Sequence, residues 1–295
     1  MDINRILADE FKLRREQVDN TIALIDDDKT IPFIARYRKE QTGSLDDTVL
    51  RELSDRLTYL RSLEKRKEEI ISSITEQEKM TDDIAKAIEA AMTLVEVEDI
   101  YRPFKSKRKT RASVAREKGL ETLAEMLIAQ DKKTDPISEA AAYVNEEKGV
   151  AAAEDALQGA MDIIAEDISD NAVLRKRLRE VFFKEGTISS KAAAEDSNEV
   201  YKNYFEYAEP VNKIAGHRIL ALDRGEKEEQ LKVAIKVPEG VGEGMCTYEY
   251  VKNNSKCAEY VRTACEDSYK RLIFPSIERE VRAELSAGAQ EGAIK

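Results

Sequence analysis

The sequence predicts an all-α protein, a multi-helix bundle with one minor two-stranded β-ribbon. The 59 residues from Ser44 to Arg102 contain neither glycine nor proline, which a helical segment tolerates best. In most of the chain, apolar residues recur at intervals of three and four, the period of a helix packed on one side. The 295 residues include only 12 glycines and 6 prolines, so few breakers interrupt these patterns. Long helices therefore dominate the prediction.

Two short amphipathic helices and one long helix are predicted first. The short ones carry Ile3, Leu7 and Phe11, then Val18, Ile22 and Ile25. The long helix runs from about residue 46 to about residue 78, with Ser44 as its expected cap and acids in its first turn, where the helix dipole favours negative charge. Its apolar stripe consists of Val49, Leu53, Leu57, Leu60, Leu63, Ile70, Ile71 and Ile74.

A second helix is predicted to follow the long one directly. The period breaks near residues 79–81, and Thr81 precedes two aspartates, a pattern typical of a helix cap. Ile84, Ile88 and Ala91 would form the apolar side of this helix. The two helices together resemble a helix-turn-helix hairpin.

The helical pattern returns further along the chain, with one interruption. Its apolar stripes are Leu120, Leu123 and Leu127; Leu157, Met161, Ile164 and Ile168; Leu174, Leu178, Val181 and Phe182; Cys257, Val261, Cys265 and Leu272; and Ile277, Val281 and Leu285. Asp135 and Pro136 predict one more helix start, and Pro275 another. The interruption is residues 231–237, where apolar residues alternate at period two and predict a strand paired with residues 187–193.

Cofactor and metal sites are not predicted. The glycines at 240, 242 and 244 lack the spacing of a phosphate-binding loop and are interpreted as a flexible turn. His217 is the only histidine, and a cap or core role there is commoner than catalysis. The three cysteines are expected to be buried, reduced thiols, because their spacing contains no C-x-x-C pair. We therefore expect no cofactor, no structural zinc and no enzyme activity.

One window reverses the acidic charge of the chain. The chain carries a net charge of -11, but residues 102–118, here called the basic window, carry +7, which leaves -18 on the rest. Its cations are Arg102, Lys105, Lys107, Arg108, Lys109, Arg111, Arg116 and Lys118. A local reversal of this kind is expected where phosphates of a nucleic acid bind. An equally weighted alternative is that these side chains pair with acids of neighbouring helices. Few aromatic residues lie nearby, so no base-stacking platform is evident.

Three further groups have a structural interpretation. Arg36, Arg38 and Lys39 are expected to form buried salt bridges with adjacent acids. The cations Arg175, Lys176, Arg177 and Arg179 are expected to cover a helix face. The aromatic residues of segment 201–207 recur at helical spacing, and we interpret them as part of the core or as a docking face.

Four motifs in order resemble the amino-terminal region of the Tex family of bacterial transcription accessory proteins. They are IPFIARYRKEQTGSLDD (31–47), VEDIYRPFKSKRKTRASVAREKGLETLA (97–124), GHRILALDRGEKE (216–228) and IFPSIEREVRAEL (273–285). The basic motif departs slightly from the family pattern, since PFKSKRKTRA stands where the family usually has PYKPKRRTRA, and its charges are kept. The family is similar to the eukaryotic elongation factor Spt-six.

The resemblance implies an elongated, non-catalytic helical scaffold that associates with nucleic acid, RNA or DNA, in transcription. It implies a helix-turn-helix-like element at about residues 64–100, and further domains of RNase H-like, helix-hairpin-helix and OB-fold type beyond residue 295, so that this chain would be a fragment. We expect segments 1–63, 64–120, 121–272 and 273–295. The alternative is a protein-interaction scaffold that docks on RNA polymerase or ribosome-associated proteins without touching nucleic acid. No stretch resembles a membrane span or a secretion signal, so the expected location is cytoplasmic, away from membranes.

Overall fold

Sixteen α-helices and three short β-strands make up the regular structure of residues 1–195 and 197–294, which this computed structural model describes. The prediction of a mainly helical fold is confirmed. The chain divides into two compact units, one from Met1 to Phe104 and one from Lys105 onward. The four segments expected from the sequence stay a prediction, as does the helix-turn-helix-like element.

The first unit is entirely helical within the described residues. Its helices are α1 Ile3–Phe11, α2 Arg15–Asp26, α3 Ile31–Tyr37, α4 Lys39–Thr42, α5 Asp47–Glu76, α6 Asp82–Ala90 and α7 Leu94–Tyr101, followed by a 3-10 turn at Arg102–Phe104. Helix α5 buries one stripe, from Leu50 to Ile74, against α1, α2 and α7. This confirms the long predicted helix.

Two details of the long helix differ from the prediction. Asp46 rather than Ser44 caps α5, because its carboxylate accepts a hydrogen bond from the Val49 amide at 2.9 Å. Ile71 is 40% exposed, since it lies one position away from the buried stripe. The stripe also contains Lys67, which is buried and donates to the Glu89 carbonyl at 2.8 Å, at the end of α6. Thr81 caps α6 as predicted.

The second unit is a helical body that carries a small sheet. Its helices are α8 Arg111–Glu117, α9 Glu121–Ala129, α10 Pro136–Ala141, α11 Ala153–Ser169, α12 Ala172–Glu185, α13 Gly216–Lys227, α14 Val241–Tyr250, α15 Lys256–Asp267 and α16 Phe274–Ile294. A π-helical stretch, Ser268–Ile273, connects α15 to α16. Helix α11 lies at the centre, in contact with α8, α9, α10 and α15.

The sheet has three strands where two were predicted. Strands β1 Thr187–Ala192 and β3 Leu231–Lys236 pair antiparallel, as expected, but β2 Glu206–Pro210 pairs with the other edge of β1. The two-stranded ribbon is therefore corrected to a sheet of order β2-β1-β3. The aromatic segment 201–207 was interpreted at helical spacing, whereas its first part forms a 3-10 turn that buries Tyr201 and its last residues belong to β2.

The glycine-rich segment is a second correction. Only Gly240 lies in a turn, with a positive φ of 76°, because Gly242 and Gly244 belong to α14. The cysteines are buried and free, as predicted, and burial raises the pKa of Cys246 and of Cys265 to about 12. No helix among the described residues is long and apolar enough to cross a membrane.

Candidate nucleic-acid interface

The cations of the basic window are divided between two units and three local structures. Arg102 begins the 3-10 turn that ends the first unit, and the other seven belong to the second unit. Residues 105–110 form a loop, Arg111 begins α8, Arg116 lies in its last turn and Lys118 caps its end. The surface described below belongs to the second unit.

A reciprocal cap fixes the point where the loop enters α8. The Thr110 hydroxyl accepts from the Ser113 amide at 3.0 Å, and the Ser113 hydroxyl accepts from the Thr110 amide at 2.8 Å. Such a capping box satisfies two amides that the first helical turn leaves unpaired. Helix α8 also packs closely on α11, since a Cβ at Gly159 would lie 2.4 Å from the Leu120 side chain and 3.3 Å from the Ala115 side chain. The cap and the packing of α8 on α11 therefore set the direction in which the loop enters α8.

An ion cluster at the carboxyl end of α11 anchors the loop. Lys107 donates to Glu166 at 2.8 Å and also to Asp170, and both carboxylates are buried. Acids at the carboxyl end of a helix oppose its dipole, so the cation of Lys107 relieves an unfavourable arrangement. Burial alone would raise the pKa of Glu166, but hydrogen bonds from Lys107 and Thr110 outweigh burial and hold that pKa below its ordinary range.

Two further cations of the window make contacts within the second unit. Arg116 donates to Asp167 at 2.6 Å and lies 3.5 Å from Glu121. Lys118 donates to the Gly149 carbonyl at 2.9 Å. Lys107, Arg116 and Lys118 are therefore structural cations, which is the role that the alternative interpretation gave to the whole window.

Three cations of the window are exposed and unpaired. Arg108, Lys109 and Arg111 make no side-chain hydrogen bond and no ion pair with any residue that the structure describes. They lie on the loop and on the first residue of α8, next to the anchored Lys107. We call them the exposed cations. Their charges are available to an anionic partner, while the ion cluster holds their backbone in place.

A groove of about 570 Å³ lies beside the exposed cations, between α8 and α11. Lys109, Arg111 and Lys118 line one wall, and Asp155 and Asp162 line the other. The opposed charges make the groove itself a poor site for a phosphate. A polyanion would instead contact the outer surface of the loop, away from α11.

The sequence did not indicate which cations of the window are anchored. Glu166 and Asp170 decide this, and they are more than 50 residues from Lys107 in the chain. One sequence feature could have indicated the anchored cations. Acids recur at positions 166, 167 and 170, at the carboxyl end of a predicted helix, where the helix dipole favours nearby cations. The assignment of the whole window to nucleic-acid binding remains a prediction.

The other basic groups reverse their expected roles. Within the described residues, Arg36, Arg38 and Lys39 pair with no carboxylate; Arg38 instead lies over the Phe33 ring, 5.1 Å from its centroid. The run at 175–179 was expected to cover a helix face, and two of its members, Arg175 and Arg179, are buried in the interior. The described part of the chain also contains no group of three His, Cys, Asp or Glu residues that could hold a metal ion.

Comparison with protein families gives two matches. Residues 1–75 match a model described as the Tex-like protein N-terminal domain, and residues 131–295 match one described as Tex central region-like. Together they cover most of the chain. The basic window lies between the two matched regions.

Individual relatives agree with the family matches. The chain is 47% identical over 292 residues to the uncharacterized protein YdcI of Bacillus subtilis, covering 98% of this chain and 41% of the relative. It is 38% identical over 302 residues to the transcriptional accessory protein Tex of Neisseria gonorrhoeae, covering 100% and 40%. It is 29% identical over 311 residues to the human S1 RNA-binding domain-containing protein 1, covering 99% and 31%. The chain thus spans about two fifths or less of the length of these relatives.

Proposed function

The chain belongs to the Tex family, and from that premise we propose that it is a non-catalytic helical scaffold of a transcription accessory protein that contacts RNA through the exposed cations. Arg108, Lys109 and Arg111 would bind phosphates of the RNA backbone. The ion cluster beneath them would keep the loop in one conformation, which lowers the entropy lost on binding. The contact would be independent of sequence, because phosphates carry no base identity.

The observation that carries this proposal is the division of the basic window into anchored and exposed cations. Cations that only stabilised the fold would be expected to meet acids, and the acidic chain offers many. Three adjacent cations without such a partner are better suited to an external anion. The human relative is named for an S1 RNA-binding domain, which favours RNA over DNA as the nucleic acid.

The remaining parts of the proposal rest on the sequence. One histidine and the lack of a phosphate-loop motif support a non-catalytic role. Three free thiols support a cytoplasmic location, where cysteines are kept reduced. The whole relatives are much longer than this chain, so the proposal concerns the contribution of this region alone.

A protein-interaction scaffold is the second candidate function. The observation in its favour is that Lys107, Arg116 and Lys118, three of the eight cations of the window, make internal contacts. RNA polymerase or ribosome-associated proteins would then be the partners, and the exposed cations would meet acidic protein surfaces.

Charge reversal of the exposed cations separates the two candidates. We expect the R108E/K109E/R111E variant to bind a fluorescent uridine oligonucleotide at least tenfold more weakly than the unmodified chain, measured by anisotropy at 0.1 M salt. Its melting temperature should change little, because the three side chains have no partner among the residues that the structure describes. The affinity of the unmodified chain should be micromolar or weaker at physiological salt, as for binding by phosphate contacts alone.

Two controls make the result specific. K132E/K133E/K227E reverses three exposed lysines elsewhere in the second unit and should leave RNA affinity within about twofold. Lys107→Gln should lower the melting temperature, because it removes the ion pairs that Lys107 makes with the buried Glu166 and Asp170. Equal RNA affinity for the R108E/K109E/R111E variant and the K132E/K133E/K227E control would reject the RNA contact and favour the protein-interaction scaffold.

A further inference from the structure

The three-stranded sheet presents one face to solvent, and the strand register defines its residues. Residues directly opposite each other on antiparallel strands project from the same face. Ile188 pairs with Ile235, and both are buried against the helical body. The opposite face therefore contains Ser189 with its partners Ala208 and Ala234 at its centre.

Three lysines surround that centre. Lys191 and Lys232 are direct cross-strand partners, and Lys236 lies four residues further along β3, about 13 Å from Lys232 at the usual rise of a strand. All three are exposed, and none forms an ion pair or a side-chain hydrogen bond within residues 1–195 and 197–294. We call this surface, Lys191, Lys232 and Lys236 with the floor of Ser189, Ala208 and Ala234, the lysine face.

The pairing of Lys191 with Lys232 is unfavourable in the isolated chain. Like charges directly opposite on a sheet repel each other, with Cβ atoms about 5 Å apart. Glu206 is the acid that lies opposite Lys191 on the other side, and no ion pair joins the two. An anion between the two lysines would turn this repulsion into attraction. The arrangement therefore favours an anionic ligand over an empty surface.

The floor of the lysine face is shaped to admit a ligand. A depression of about 480 Å³ lies over the sheet and carries a net positive charge, since it is lined by the three lysines and one acid, Glu206, with Ser189, Ala208 and Ala234 among others. Small side chains at the centre let a flat group approach the backbone closely. Lys232 and Lys236 lie far enough apart to contact two separate anionic groups of one extended chain.

We propose that the lysine face binds the backbone of single-stranded RNA, a second contact that rests on the proposed function and extends it. Lysine ammonium groups act as flexible point charges that bind phosphates, and the three positive charges match the evenly spaced negative charges of an extended polyanion. The RNA chain would run along the strands from Lys232 to Lys236. The floor would accommodate riboses or bases without selecting among them.

The experiment measures binding of a fluorescent twelve-residue uridine oligonucleotide to the purified chain at several salt concentrations. We expect K191Q/K232Q/K236Q to bind roughly tenfold more weakly at 0.1 M salt. The slope of log affinity against log salt should fall by about 2, since each phosphate contact to a single strand contributes about 0.7. K132Q/K133Q/K227Q removes the same charge from another surface and should behave as the unmodified chain. The melting temperature of Lys191→Gln should rise slightly, because the substitution removes the repulsion between Lys191 and Lys232. Such a rise would show that the sheet stays folded.

Each other outcome overturns the inference in a distinguishable way. If R108E/K109E/R111E weakens binding but K191Q/K232Q/K236Q matches its control, the lysine face does not bind RNA and the proposed function stands. If the unmodified chain binds no RNA, both proposals fail. If a polyglutamate peptide of equal charge binds with dependence on Lys191, Lys232 and Lys236 while the oligonucleotide does not, the occupant is an acidic protein segment.

Discussion

Arg175 is completely buried and shares the carboxylate of Glu280 with Arg179. The three side chains join α12 to α16, with N–O distances of 2.6 Å and 2.7 Å. The sequence predicted only that both arginines cover a helix face, because Glu280, which pairs with them, is 101 or more residues away. Contacts of this kind depend on tertiary packing, which local patterns do not encode.

Removing the shared carboxylate should destabilise the second unit strongly. We expect Glu280→Gln to lower the free energy of unfolding by about 3 kcal/mol or more, because two buried guanidinium groups lose the carboxylate that they share. Urea denaturation followed by circular dichroism measures this. Glu284→Gln, an exposed position on the same helix, should change stability by less than about 0.5 kcal/mol. Equal effects of the two substitutions would contradict this account of Glu280.

The same carboxylate gives a defined pH dependence. Burial would raise the pKa of Glu280, but Arg175 and Arg179 outweigh it and lower that pKa below its ordinary range. Stability from this group is therefore present above the unfolded pKa, near 4.3, and is lost as the pH falls toward the folded pKa. The stability difference between the unmodified chain and Glu280→Gln should be constant from pH 7 to about 5. It should then shrink as the pH falls below about 4, by no more than about 1.4 kcal/mol per pH unit, as measured by urea titrations at each pH. A difference that grows on acidification would show that the sign is wrong.

At the scale of elements, α14 contains two glycines with opposite roles. A Cβ at Gly242 would lie 1.9 Å from the Tyr269 ring, whereas nothing lies within 4 Å of one at Gly244. We expect Gly242→Ala to destabilise by about 2 kcal/mol or more through overpacking. Gly244→Ala should stabilise by about 0.5 to 1 kcal/mol, because alanine favours a helix interior. Thermal or urea unfolding of the two variants tests this, and the opposite order would refute the packing of Tyr269 against α14.

The elements that the sequence predicted well have long, uninterrupted periodicity. Helix α5 was found within two residues at each end, since its stripe repeats over 30 residues without a breaker. Strand β2 was not predicted because it is an edge strand of only five residues, too short to show a clear alternation of apolar and polar side chains. The glycines of α14 were read as a turn because composition alone does not show that Gly242 is needed for packing against Tyr269.

At the scale of the whole chain, the two units have separate hydrophobic cores. One core is formed by apolar residues from the helices before Phe104, and another by residues from Ala112 to Val281. The charge reversal in residues 102–118 was visible in the sequence, but the division of that window was not. It depends on the ion cluster, whose acids come from α11, and on the exposure of Arg108, Lys109 and Arg111. The distribution of charge along the sequence therefore located the candidate surface but did not show which of its cations are paired.

The net charge of -11 predicts an unusual salt dependence for the proposed RNA contact. Near 0.1 M salt the Debye length is about 10 Å, so an RNA strand on the exposed cations would be screened from most of the acidic surface. Affinity should then rise as salt falls from 0.3 to 0.1 M, as counterion release requires. Near 0.01 M the Debye length grows to about 30 Å, and the strand would experience repulsion from the surrounding acids. We expect the plot of log affinity against log salt to flatten below about 0.03 M, as measured with the same uridine oligonucleotide. A straight line down to 0.01 M would show that the acidic surface does not oppose binding, and a chain that binds only below 0.03 M would refute the local contact itself.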